Sequence, residues 1–191
     1  MLNLDKLSFS KFDIFDYKSA LSILKNFAFI ENSSEEKIAL FVAGPNGSGK
    51  STLIANLYKQ ERLDIPYINA DILATKMPSE NIYAVMGQTI EIIKNNIENG
   101  NSFVYETVLS DVNKLELARK AKENGFKLIC IAVTTTNVEI NINRVSKRFS
   151  QGGHNVPTEK IIMRYEKSLN NIKELKNICD EFILLDNSKD L

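Results

Sequence analysis

The chain has 191 residues, 43% of them hydrophobic and 25% charged, with 24 Lys+Arg against 24 Asp+Glu and therefore no formal net charge. That length suits one α/β domain with a sizeable core and is too short for two. The charge balance weighs against a non-specific nucleic-acid binder, which carries a basic excess, and a single histidine argues against a conventional Cys/His zinc site. Cys130 and Cys179 lie far apart outside any CxxC pair, and Cys130 sits in an apolar run, so it reads as a buried thiol. The opening residues lack a basic segment followed by an apolar core, and the most apolar early stretch, 21–30, contains Lys25 and is too short to span a bilayer. The expectation is a cytoplasmic protein that makes no use of a membrane.

In chain order, residues 1–36 form a prefix whose apolar positions, Phe15, Leu21, Leu24, Phe27 and Ile30, suggest one amphipathic helix ending in a polar linker at 32–36. Residues 37–191 then alternate in type. Ile38–Ala43 is a continuous apolar run, the mark of a strand buried on both faces. A glycine-rich turn and a helix over 50–59 follow, then a second strand at 65–69. Helical segments are expected at 71–75 and 82–98, and a third strand at 102–106. Ser110 is placed to cap a helix over 112–123, which Gly125 closes. A fourth strand covers 127–133, and Thr136 with Glu139 has capping-box spacing for a helix to about residue 149. Residues 151–157 interrupt it, Thr158 caps a helix to about residue 176, and 181–185 is a fifth strand. Strands alternating with helices predict an α/β fold of three layers, a mainly parallel five-stranded sheet covered by helices on both faces.

The chemistry concentrates at the ends of these strands. Gly44-Pro45-Asn46-Gly47-Ser48-Gly49-Lys50-Ser51-Thr52 carries the full GxxxxGK[ST] pattern between a buried strand and a helix. Its glycines let backbone N–H groups curl around phosphates, and the following helix N-terminus adds a favourable dipole. Lys50 is placed to reach the β- and γ-phosphates of ATP, and Ser51 to ligate Mg2+. Asp71 follows the second strand, where an acid can take a proton from a substrate hydroxyl or cap the helix that begins at Ile72. Glu106 ends the third strand beside Thr107, where it can orient magnesium, its water or the substrate, or be a solvated charge. Arg144, Arg148 and Arg164 flank 151–157, whose glycines make it a candidate lid over about 144–164. Arginines are also common on helix surfaces, and His154 reads as a lid-ordering residue rather than a catalyst. Asn187, after the fifth strand, is placed to hydrogen-bond adenine or to form a plain turn.

These pieces in this order resemble the zeta-toxin family of P-loop kinases, in a compact form. The match covers about residues 38–188: GPNGSGKST, Ile68-Asn69-Ala70-Asp71, Val104-Tyr105-Glu106-Thr107, the paired arginines, GGHNVP and Arg164-Tyr165. The resemblance implies that Asp71 is the catalytic base, that Glu106 and Thr107 stand on the substrate side, and that Arg148 and Arg164, with Arg144 as a third candidate, bind the ATP phosphates. It also implies a small-molecule acceptor, best represented by UDP-N-acetylglucosamine, phosphorylated on its sugar 3′-hydroxyl, and a small helical antitoxin as partner. An ATP-driven binding switch and a polynucleotide kinase are the alternative readings. A switch has no need of a base at Asp71, and a polynucleotide kinase would carry a basic, aromatic-rich stripe.

Overall fold

Six consecutive apolar residues are buried together where a strand has neighbours on both sides and helices on both faces, and that is where Ile38–Ala43 lies. The structure, a computed structural model, describes residues 14–16, 30–31, 36–60, 63–77, 81–153 and 155–189. Its strands are β1 (Ile14–Asp16), β2 (Ile30–Glu31), β3 (Ile38–Ala43), β4 (Leu63–Asp64), β5 (Tyr67–Ile68), β6 (Phe103–Thr107), β7 (Lys127–Thr134) and β8 (Glu181–Asp186). Its helices are α1 (Lys50–Lys59), α2 (Ala70–Lys76), α3 (Ile82–Asn99), α4 (Asn113–Glu123), α5 (Val138–Ser150) and α6 (Thr158–Ile178). The main sheet runs β1-β8-β7-β3-β6-β5, and every pair in it is parallel. β2 and β4 form a separate parallel pair.

Alternation along β3 divides the core. Ala39, Phe41 and Ala43 face one layer with Ile93 of α3, Leu115 and Ala118 of α4 and Ile172 of α6. Ile38, Leu40 and Val42 face the other with Leu53, Ile54 and Leu57 of α1. Phe41 stacks edge-on against Tyr105 of β6, ring centroids 5.4 Å apart, in a geometry that favours aromatic pairs. No helix among the described residues is long and apolar enough to cross a membrane.

The five expected strands form, and the sheet gains a sixth. Ile14–Asp16 was expected to be helical and instead pairs in parallel with β8, Ile14 opposite Leu184 and Asp16 opposite Asp186. Ile30–Glu31, expected at the end of the same helix, pairs with β4. Backbone groups along an open sheet edge are satisfied by any extended segment that reaches them, and side-chain periodicity does not report this. The rest of that helix falls outside the described residues.

Three helix starts also differ from expectation. Asn137 caps α5, its Oδ1 accepting the Glu139 N–H at 2.9 Å, while the Thr136 N–H donates to Ser188 Oγ at 2.7 Å and so ties the turn to the end of β8. At α4 the Asn113 N–H donates to Asp111 Oδ1 at 3.0 Å, so Asp111 does what was expected of Ser110. Thr158 is the first residue of α6 and not its cap.

Candidate active site

The phosphate-binding loop, Asp71, Glu106, Thr107 and Asn187 lie at or just beyond the carboxyl ends of β3, β5, β6 and β8, where a doubly covered α/β fold leaves its crevice. The loop after β3 leaves no room for side chains at its glycines. A Cβ on Gly44 would stand 2.0 Å from Val133 O, and one on Gly49, at φ +101°, would stand 2.3 Å from Asn187 Nδ2. Gly49 leads into α1, whose first turn holds no acidic residue to offset the positive end of its dipole.

Lys50 is buried and its Nζ donates to Pro45 O at 2.9 Å, across the loop it belongs to. Burial pushes its pKa down to about 8, with Arg148 and Lys114 adding to the depression and Glu106 and Asp71 opposing it. A phosphate beside Lys50 favours the charged ammonium, so nucleotide binding and protonation are linked. Below pH about 8 the ammonium is already present. Between about 8 and its ordinary value of 10.5 the unliganded protein has lost that proton, and binding must restore it. Mg-ATP affinity is therefore expected to fall above pH 8, by up to about tenfold per pH unit, with proton uptake on binding. Calorimetry in buffers of different ionisation enthalpy measures that uptake, and Lys50→Met should abolish it.

Ser51 and Glu106 are brought together. Ser51 Oγ donates to Glu106 Oε1 at 2.8 Å, while Asn69 Nδ2, at 2.8 Å, and the Tyr67 hydroxyl both donate to Oε2. Glu106, expected from the resemblance on the substrate side, thus lies beside Ser51, the residue expected to ligate Mg2+. The register explains its neighbours: Tyr67 pairs with Val104 and Ile68 with Tyr105, which carries Asn69 to a place beside Glu106. A hydroxyl and a carboxylate suit Mg2+, a hard cation that keeps several waters and takes few protein ligands, so the residues fit it. Among the described residues no cluster of three or more His, Cys, Asp or Glu could hold a metal.

Asn69 also decides the standing of Asp71. Its Oδ1 accepts the N–H groups of Asp71 at 2.7 Å and Ile72 at 3.4 Å, so Asn69 is the N-cap of α2. The helix-cap reading of Asp71 is therefore removed. Its side chain is exposed in the first turn of α2, and its charge acts on both Lys50 and Lys114.

Thr107 is buried, and its hydroxyl accepts from the Leu109 N–H at 3.0 Å and from Lys114 Nζ at 3.1 Å. Leu109 holds the left-handed backbone conformation, φ 55°, which costs a non-glycine residue about 1–2 kcal/mol. The tight turn it makes folds α4 back over the end of β6 and delivers Lys114. No spacing in the sequence announces that contact.

The three arginines part company. Arg148 lies over Gly153, where a Cβ would stand 2.7 Å from its Cγ, and its charge acts on Lys50. Arg164 acts on Lys114 instead. Arg144 donates to Asn187 O at 2.7 Å and Lys189 O at 3.4 Å, bracing the turn after β8. Asn187 is buried behind the loop with Nδ2 on Ser48 O at 2.8 Å, so its amide supports the loop's own backbone. Asn141, not singled out from the sequence, does the same from α5, with Nδ2 on Asn46 O at 2.6 Å. Asn46 Oδ1 and Ser48 Oγ in the loop are buried with no hydrogen-bond partner. Val156 packs with Val145 and Ile161, which pins the candidate lid between α5 and α6. His154 lies outside the described residues.

The chain is similar to known proteins. Over 131 residues the chain is 30% identical to an uncharacterized protein of Haemophilus influenzae, covering 66% of this chain and 91% of the relative. A chain from the PezAT toxin–antitoxin system of Streptococcus pneumoniae superposes with a TM-score of 0.62 at 17% identity, covering 95% of this chain and 79% of that one. A chain of the Pnkp1/Rnl/Hen1 RNA repair complex superposes with a TM-score of 0.56 at 18% identity, covering 78% and 48%. At such identities these two likenesses show the shared fold. The sequence pattern of zeta toxins matches residues 76–189, more than half of the chain and beginning after the phosphate-binding loop. With that loop in front of the matched region and its geometry intact, the chain belongs to the zeta toxin family of kinase-type P-loop proteins.

Proposed function

We propose that this chain transfers the γ-phosphoryl group of ATP to a hydroxyl of a small molecule, with a UDP-amino sugar such as UDP-N-acetylglucosamine as the leading candidate. The observation that carries the reading is Asp71. It is exposed, it is not needed as a helix cap, and it is within electrostatic reach of the phosphate-binding lysine. A nucleotide-driven switch has no use for an acid there, whereas a phosphotransferase needs a base beside the γ-phosphate.

In this mechanism the backbone of residues 44–49 and Lys50 hold the β- and γ-phosphates, Lys50 exchanging Pro45 O for phosphate oxygens. Ser51 and Glu106 would hold Mg2+, which would supply positive charge to the phosphates. The acceptor hydroxyl gives its proton to Asp71 as its oxygen bonds to the γ-phosphorus. The bond from that phosphorus to the bridging oxygen breaks, and ADP leaves with the electron pair. Arg148 offsets the charge that spreads over the transferring group. The likeness to a toxin–antitoxin system supports a small antitoxin as partner and toxicity as the biological output.

Incubation of the full chain with Mg-ATP and a panel of nucleotide sugars tests the proposal directly. Mass spectrometry should show a phosphoryl-sized gain on one member, absent with Asp71→Asn. Binding of ATP with no acceptor modified in any panel of small alcohols would count against phosphotransfer.

A further inference from the structure

The N-cap of α2 makes contacts that capping does not require. An N-cap needs one side-chain oxygen, which Asn, Asp, Ser and Thr all supply. Asn69 supplies it through Oδ1, which accepts from the Asp71 N–H at 2.7 Å and the Ile72 N–H at 3.4 Å. Those backbone donors settle which way round the amide lies, because its other end must then be the nitrogen. The two hydrogens of Nδ2 go to Glu106 Oε2 at 2.8 Å and to the Tyr67 hydroxyl at 2.9 Å. Aspartate would cap the helix equally well but would set a second carboxylate against Glu106, where like charges oppose each other. Serine would also cap, but it has no amide with which to reach the carboxylate.

The sheet brings these groups together. Ile68 pairs with Tyr105, so Asn69 comes level with Glu106, and Tyr67, two residues earlier, shares its face. The Tyr67 hydroxyl donates to the same Oε2 that Asn69 engages. With both donors on Oε2, the other oxygen, Oε1, is left to Ser51 Oγ at 2.8 Å. One planar amide therefore ties the backbone of Asp71 to the carboxylate beside Ser51. We propose that Asn69 is a positioning residue: its amide, with the Tyr67 hydroxyl, holds Glu106 Oε1 toward the Mg2+ site, while the same side chain starts the helix that carries the base. The inference rests on the phosphotransfer reading and adds to it the residue that joins the metal carboxylate to the base. Groups that orient a metal ligand without touching the metal typically carry about 10–100-fold in metal affinity.

The test uses Mn2+, which takes the same oxygen ligands as Mg2+, bound to the full chain with ADP and read by electron paramagnetic resonance. Thermal denaturation without nucleotide is measured beside it. Asn69→Ser keeps a cap and removes the donor, so it should melt close to wild type and bind Mn2+ at least about 10-fold more weakly. Asn69→Ala should also lose a few degrees of melting temperature, because the cap goes too. Tyr67→Phe leaves the cap untouched and should weaken Mn2+ binding at an unchanged start of α2. Because Asn69 acts through Glu106, adding Asn69→Ser to Glu106→Gln should cost no further Mn2+ affinity. Equal Mn2+ affinity in wild type, Asn69→Ser and Tyr67→Phe overturns the proposal. So does an Asn69→Ser loss that persists undiminished beside Glu106→Gln. Failure of wild type itself to bind Mn2+ with ADP would instead defeat the phosphotransfer reading, and this inference with it.

Discussion

Arg148→Ala is expected to lower kcat by about 10³-fold while leaving acceptor KM within a few-fold of wild type. Phosphoryl transfer asks little covalent chemistry of a protein, so the rate comes from positioning and from charge placed where the transition state develops it. Arg148 is the arginine whose charge acts on the phosphate-binding lysine, and its stem is fixed over Gly153, whose N–H donates to Arg148 O at 3.0 Å. The turn below it is anchored by Val156 in an apolar cluster, so removing the guanidinium should leave the fold standing. Arg148→Lys should recover only part of the rate, because a point charge cannot reproduce a planar, two-pronged contact. Arg119 supplies the control: it pairs with Glu116 on the surface of α4, and an exposed pair of that kind contributes little. Steady-state kinetics on the three variants checks the prediction, and equal rates for Arg148→Ala and Arg119→Ala would remove Arg148 from the site.

Asp71→Asn is expected to bind Mg-ATP like wild type and to phosphorylate the acceptor about 10²-fold more slowly, or worse. The substitution keeps shape and hydrogen-bonding capacity and removes the proton acceptor. Because Asn69, and not Asp71, caps α2, the helix start should survive unchanged, so a rate loss can be assigned to chemistry. Single-turnover assays beside nucleotide titrations separate the two effects. A rate within a few-fold of wild type would sink the assignment of Asp71 as the base.

Much of this protein was legible in its residues alone. The order of the five expected strands and the helices between them, the phosphate-binding loop and the acids after β5 and at the end of β6 all follow from patterns of a few residues. An apolar run of six, a GxxxxGK[ST] turn and a strand-ending acid each state local physics that holds wherever the segment lies. The helix caps were less legible, because a Thr, Asn, Ser or Asp one position away can do the same work. At α5 it is Asn137 that caps, while the Thr136 N–H is held by Ser188 at the end of β8.

Contacts between distant segments decided the rest. Whether Ile14–Asp16 is helix or strand depends on the free edge of β8, which lies at the other end of the chain. Whether Asn187 meets a base or braces the loop depends on how close β8 brings it to Ser48, 139 residues earlier. The parallel register that sets Tyr67 and Asn69 on Glu106 formed from strands separated by α2 and α3, and the Leu109 turn brought Lys114 to Thr107. Sequence alone determined where the glycine-rich loop and the strand-ending acids lie, because charge, hydroxyl and glycine conformation belong to single residues and short turns. Which charges gather around Lys50 and around Lys114 was decided only by the packed sheet, because electrostatic reach is a distance in space and not along the chain.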